Sequence, residues 1–118
     1  YEGIKELMNL VGPAYAKEIF FTGNIFSSID AERMGLLNKV VEKKHLEQYV
    51  FDFATRIAIN APLTVMASKA AINEGLKNFN EQNLDAIADM VDHCFRSEDY
   101  KEGRNAFMEK RTPNFKGK

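Results

Sequence analysis

The sequence has one cysteine and three prolines among 118 residues, and no excess of either charge. Cys94 by itself closes no intramolecular disulfide, so the thiol usage points to a reducing, intracellular setting. No uninterrupted apolar stretch approaches the roughly 18 residues that a membrane span requires. The opening Tyr1-Glu2-Gly3-Ile4-Lys5-Glu6 lacks the basic-then-apolar order of a secretory leader. It also lacks an initiator Met, and a chain that opens on Tyr inside a periodic segment is expected to be cut from something longer or processed. Sixteen Lys and Arg against seventeen Asp and Glu leave a net charge of −1, so no global positive field gathers phosphates. Neither nucleic acid nor a membrane is expected as a partner.

What is present is a hydrophobic fraction of 45%, too high for a disordered chain. The apolar residues recur at helical spacing, punctuated by Gly and Pro. Ile4, Leu7, Met8 and Val11 form one face, Gly12 stops it, and Pro13 opens a second helix carrying Ala16, Ile19 and Phe20 until Gly23. Ser27 with Asp30 three residues on predicts an N-cap, and Gly35 suits the left-handed residue after that short helix. Asn38-Lys39-Val40-Val41 reads as the single strand, brief and partly β-branched. One strand cannot make a sheet, so it requires partners that the chain does not supply, or it is extended loop.

Helical spacing returns from about Glu42 to Asn60 through Leu46, Val50, Phe53 and Ile57, and Ala61-Pro62 breaks it. A further helix runs from Pro62 to about Gly75. Phe79, Asn80 and Leu84 predict a hydrophobic staple, with Asn80 as the cap and Phe79 packed on Leu84. Leu84, Ile87, Ala88, Val91 and Phe95 then line one face. Ser97 caps a last helix with Glu98 and Asp99 in its first turn and Lys110 and Arg111 at its end, the polarity that suits the helix dipole. The tail from Thr112 to Lys118 has no helical pattern. The fold class is mainly α with one short strand.

Chemistry-bearing residues are sparse. Asp92-His93-Cys94 are consecutive, and neighbours on one helix point about 100° apart, so the three cannot converge as a triad. Cys94 reads as a small packing residue, His93 as a surface one, and His45 as solvated, with no second metal ligand at helical spacing. Glu81, Asp85, Asp89 and Asp92 make an acidic stripe, which is more simply a solvated or partner-facing surface than a pair of tuned acids. Gly12-Pro13 lacks the repeated glycines and the lysine of a phosphate loop. The C-terminal end is basic through Lys101, Arg104, Lys110, Arg111, Lys116 and Lys118, with Tyr100, Phe107 and Phe115 interspersed. That combination suits a phosphorylated ligand with a stacking base, but dipole-compensating cations and core aromatics are the simpler explanation from the residues alone.

The order of short patterns is more specific than any one of them. Leu10-Val11-Gly12, Phe21-Thr22-Gly23, the run Ala31-Glu32-Arg33-Met34-Gly35-Leu36-Leu37-Asn38-Lys39-Val40-Val41, Ile57-Ala58-Ile59-Asn60-Ala61-Pro62, Ser68-Lys69-Ala70-Ala71-Ile72-Asn73, Ser97-Glu98-Asp99, Glu102-Gly103 and Ala106-Phe107-Met108-Glu109-Lys110-Arg111 follow one another. In that order they resemble the C-terminal half of the enoyl-CoA hydratase/isomerase, or crotonase, family across essentially the whole chain. The resemblance implies that residues 1–61 are the C-terminal part of a ββα spiral and 62–118 a helical trimerisation region. It implies acyl-CoA thioesters as substrates, hydration, dehydration or double-bond isomerisation as the reaction, and no tightly bound cofactor beyond the CoA of the substrate itself. A homotrimer or dimer of trimers, in the cytoplasm or an organelle matrix, is the implied assembly.

The oxyanion-hole glycines and the two acids of the family lie upstream of the segment matching Tyr1, so the chain is expected to carry no catalytic residue and to be inactive alone. Glu2-Gly3-Ile4-Lys5-Glu6-Leu7 stands where the family more often has Gly-Gly-Thr-Gln-Arg-Leu. Only the last helix carries ligand residues over: Phe107 and Lys110 match the aromatic and the lysine that approach the adenine and phosphate end of CoA. A non-catalytic helical oligomerisation or interaction module is the alternative.

Overall fold

The computed structural model describes residues 3–118; Tyr1 and Glu2, and with them the start of the departure at Glu2, lie outside the described residues. Six α-helices follow in order: α1 (Ile4–Thr22), α2 (Ser28–Met34), α3 (Leu46–Ala58), α4 (Pro62–Gly75), α5 (Leu84–Arg96) and α6 (Glu98–Glu109). Short 3₁₀ turns at Lys43–His45 and Phe79–Glu81 lead into α3 and precede α5. The chain divides into two compact units, residues 1–49 and 50–118.

In the first unit the break expected at Gly12 is a kink within α1: Gly12 sits at φ 76°, ψ 164°, a conformation that side-chain-bearing residues rarely reach. Pro13 follows without cost, since the missing N–H falls where the helix restarts. Ser27 caps α2 by accepting the Asp30 N–H, and the Asp30 carboxylate accepts the Ser27 N–H in return, a full capping box. Gly35, at φ 85°, closes α2: its own N–H goes to Glu32, and the Leu36 N–H reaches back to Ala31. Val11, Ala16 and Met34 are buried together, with Leu7, Tyr15, Ile19, Phe26 and Leu36 packed around them.

Asn38–Val41 is not a strand. It runs without regular secondary structure, with a bend at Asn38, between α2 and the Lys43–His45 turn, and no strand occurs among the described residues. β-Branched residues favour a pleated surface only where a neighbouring strand completes the hydrogen bonds, and none is at hand. The fold is therefore helical, without the one short strand that the pattern predicted.

In the second unit α4 packs on α5 and α5 on α6. Pro62 opens α4 at its first position. The cap of α5 is Asn83, not Asn80: the Asn83 side chain accepts the Ala86 N–H at 3.0 Å. The Glu74 carboxylate holds the Asn83 N–H, and Phe79–Glu81 are spent in a 3₁₀ turn, which moves the helix start three residues along. Phe79 is 82% exposed, so no buried staple forms. Ser97 caps α6 as expected, its hydroxyl accepting the Tyr100 N–H. Ala67 and Ala106 are buried, whereas neither α3 nor α5 has a buried residue.

Candidate functional site

The candidate site is the C-terminal turn of α6. Glu109 is its last helical residue, and Lys110 turns into the left-handed region at φ 55°, ψ 39°. It is the one residue other than glycine with positive φ among those described. Its N–H donates to the Ala106 and Phe107 carbonyls, and the Arg111 N–H reaches Ala106 at 3.0 Å. This is the same two-bond closure that Gly35 makes for α2, but with a lysine in the place that glycine occupies at about 1–2 kcal/mol less strain.

Phe107 and Lys110 thus share one turn, linked by the 3.3 Å bond from the Lys110 N–H to the Phe107 carbonyl. Both side chains face outward, with Phe107 83% exposed. An apolar ring and an ammonium presented on one turn can stack on a flat base and compensate a phosphate.

The neighbouring charges are already engaged. Arg111 lays its Nη1 and Nη2 on the two Glu102 oxygens at 2.6 and 2.9 Å, and its Nε donates to Glu109 at 2.6 Å. Hydrogen bonds from Arg111 and from the Asn114 N–H hold the Glu102 carboxyl down at about 2, and the hydrogen bonds to Glu102 and Glu109 raise the Arg111 guanidinium. Lys101 pairs with Glu98 at 2.7 Å. Asp99, 4% exposed, accepts the N–H groups of Lys116 and Gly117 at 2.6 and 2.7 Å. Two carboxylates one turn apart therefore strap the tail along α6.

A polar groove of about 600 Å³ lies between α6 and this tail, lined by Asp99, Glu102, Arg111, Lys116 and Lys118 but by neither Phe107 nor Lys110. On another side of α6, an apolar cleft of about 460 Å³ is walled by Ala67, Val91, Cys94, Phe95, Tyr100 and Phe115. Phe95 meets Tyr100 edge to face there, with centroids 5.2 Å apart.

The remaining candidates are scattered. Asp92 pairs with Arg96 at 2.7 Å, His93 is exposed, and Cys94 is half-buried, so the consecutive trio makes no site. Glu81, Asp85 and Asp89 are exposed, as is His45 in its 3₁₀ turn. No group of three metal-binding side chains occurs among the described residues. Asp99, Glu102 and Arg111 are the residues whose roles sequence reasoning missed. It assigned Asp99 and Arg111 to the helix dipole, and pairings nine to eighteen residues apart leave no periodic trace.

The family model for enoyl-CoA hydratase/isomerase matches residues 2–118. The chain belongs to the enoyl-CoA hydratase/isomerase family. Crotonyl-CoA hydratase of Syntrophomonas wolfei is 40% identical over 115 residues, covering 98% of this chain and 44% of the relative. Methylmalonyl-CoA decarboxylase of Escherichia coli is 37% identical, covering 98% of this chain and 45% of that protein. The crystal structure of the enoyl-CoA hydratase from Bacillus anthracis matches at a TM-score of 0.79 and 34% identity, over 98% of this chain and 45% of that one. The chain spans less than half the length of each of these three. Within the family, its helical architecture is the one expected of the C-terminal region.

Proposed function

We propose that this chain is the C-terminal portion of an acyl-CoA-handling enzyme, and that its own contribution is to hold the CoA end of a thioester through Phe107 and Lys110. The observation that carries the reading is the family match over residues 2–118. Relatives named for a crotonyl-CoA hydratase and a methylmalonyl-CoA decarboxylase differ in their acyl chemistry and share CoA. An exposed ring and an unspent ammonium on one turn supply what an adenine and a phosphate require. Hydration, dehydration or isomerisation of the acyl part is assigned to the whole protein, with no tightly bound cofactor. The 118 residues alone are inactive.

In that protein, residues 1–61 end a ββα spiral and 62–118 form the helical region of a trimer or dimer of trimers, in a reducing intracellular compartment. Among the described residues no helix is long and apolar enough to cross a membrane. The test is calorimetric titration of the chain with CoA, paired with an assay of crotonyl-CoA hydration. Binding weakened by Phe107→Ala and Lys110→Ala, with no turnover, fits the reading. Unchanged affinity in both variants refutes the site, and turnover by the pure chain refutes its inactivity.

A second reading, a non-catalytic helical association module, is favoured by the outward apolar residues of α3 and α5, including Phe51, Phe53, Leu84 and Phe95. Sedimentation separates the two. A compact monomer at high concentration that binds no hydrophobic dye excludes the module.

A further inference from the structure

The helix α6 holds four carboxylates, and each has a partner. Glu98 pairs with Lys101, Asp99 takes the tail amides of Lys116 and Gly117, and Glu102 and Glu109 both take Arg111. None is left to neutralise Lys110, which makes no ion pair among the described residues. The same guanidinium also fixes the turn on which Lys110 sits. Arg111 is anchored back to Glu102, more than two turns up α6, and Glu102 simultaneously binds the Asn114 N–H. The chain is thus pinned at Arg111 and Asn114, directly after the one non-glycine residue in the left-handed region among those described.

A strained backbone survives where its surroundings over-determine it, and here a glycine would meet the same hydrogen bonds at lower cost. The lysine therefore brings something that the turn itself does not need, namely an exposed ammonium that pairs with no carboxylate of its own helix. We propose that Arg111 and Glu102 are positioning residues for Lys110, locking its left-handed turn and withdrawing the carboxylates that would otherwise capture its charge. This rests on the reading of Lys110 as the phosphate contact for CoA. Lysine cannot substitute at 111, because the clasp uses three guanidinium nitrogens in a fixed fork.

The test titrates the 118-residue chain and its variants with CoA, after circular dichroism has shown equal helix content. Lys110→Ala is expected to weaken CoA roughly ten-fold or more, as the loss of a charge-assisted contact does. Arg111→Lys and Glu102→Gln, which keep or nearly keep shape, are each expected to weaken it roughly three- to ten-fold, and to add less than about two-fold when combined with Lys110→Ala. In Arg111→Lys the Lys110 amide is expected to exchange with solvent faster, while the α4 and α5 amides do not change. Loss of CoA affinity in Lys110→Ala together with wild-type affinity in Arg111→Lys and Glu102→Gln overturns the positioning role and leaves the CoA reading standing. Fully additive losses also overturn it, since Arg111 then meets the ligand itself. Unchanged exchange at Lys110 overturns it on backbone evidence alone. Wild-type affinity in Lys110→Ala, or no CoA binding by the wild-type chain, overturns the CoA reading and the positioning role together.

Discussion

Asp99 accepts the backbone N–H of Gly117, eighteen residues further on, at 2.7 Å. The Lys116 N–H binds the other carboxylate oxygen, and the Asp99 N–H returns a bond to the Lys118 carbonyl. One side chain in the first turn of α6 thereby orders the end of the polypeptide, and Gly117 comes to lie against Pro62 at the start of α4. Asp99→Ala is expected to cost roughly 2–4 kcal/mol, since two part-buried charge-assisted bonds are lost and two amides lose their acceptor. Asp99→Asn keeps one good acceptor and is expected to cost about half as much. Urea unfolding gives the magnitudes, and limited proteolysis after Lys116 reports release of the tail.

The features legible in the sequence are those whose cause lies within one turn. Ser27 with Asp30, Gly35 after α2 and Ser97 before α6 act through hydrogen bonds three to five residues long, and Pro62 at the start of α4 through its fixed φ and missing N–H, so their position is their signature. Where two local signals compete, distance decides. Asn80 and Asn83 are equally good caps, and Glu74, nine residues before Asn83, fixes which one serves. The Asn38–Val41 run carries strand-forming residues but no strand partner, which is a tertiary fact that composition does not encode. Phe107 and Lys110 entered through family resemblance, while the Asp99 and Glu102 straps that frame them are invisible to periodicity.

Gly12 and Gly75 separate backbone strain from packing. An added Cβ meets nothing within 4 Å at either position. Gly12 has φ 76° and ψ 164°, so Gly12→Ala is expected to destabilise the first unit by roughly 1–3 kcal/mol through the backbone alone. Gly75 ends α4 without a positive φ, and Gly75→Ala is expected to stabilise by roughly 0.5–1 kcal/mol. Thermal melts of the two variants should move in opposite directions; a shared rise would mean that the kink at Gly12 is not strained for alanine, and a shared fall that Gly75 is not an ordinary helical position.

The capping box at α2 predicts a cost out of proportion to its exposure. The Ser27 hydroxyl accepts the Asp30 N–H at 3.1 Å and donates to the Asp30 carboxylate at 2.7 Å, so one atom serves two bonds. Ser27→Ala is expected to lose about 1 kcal/mol, and Ser27→Gly only about 0.3 kcal/mol, since glycine tolerates the cap backbone and leaves the first-turn amides open to water. Amide exchange at Asp30 reads the effect locally: faster exchange confined to the first turn of α2 is the expected pattern.

The clasp of Arg111 on Glu102 makes the C-terminal strap sensitive to acid in a defined window. Hydrogen bonds from Arg111 and the Asn114 N–H, reinforced by the guanidinium charge, lower the Glu102 carboxyl from 4.5 in the unfolded chain to about 2 in the folded one. The folded protein therefore binds the carboxylate form in preference, and the stabilisation is complete above pH 4.5. It is lost progressively as the pH falls from there through about 2, where the folded form also takes up the proton. Asp30 and Glu74, lowered chiefly by Ser27 and Lys77 respectively, change in the same direction. Glu102→Gln removes the first of these contributions and leaves the other two. Its stability curve should therefore be flatter than wild type between pH 4.5 and 2 and should run parallel to it above pH 5. A Glu102→Gln curve as steep as wild type in the acid limb would show that the guanidinium does not stabilise the Glu102 carboxylate.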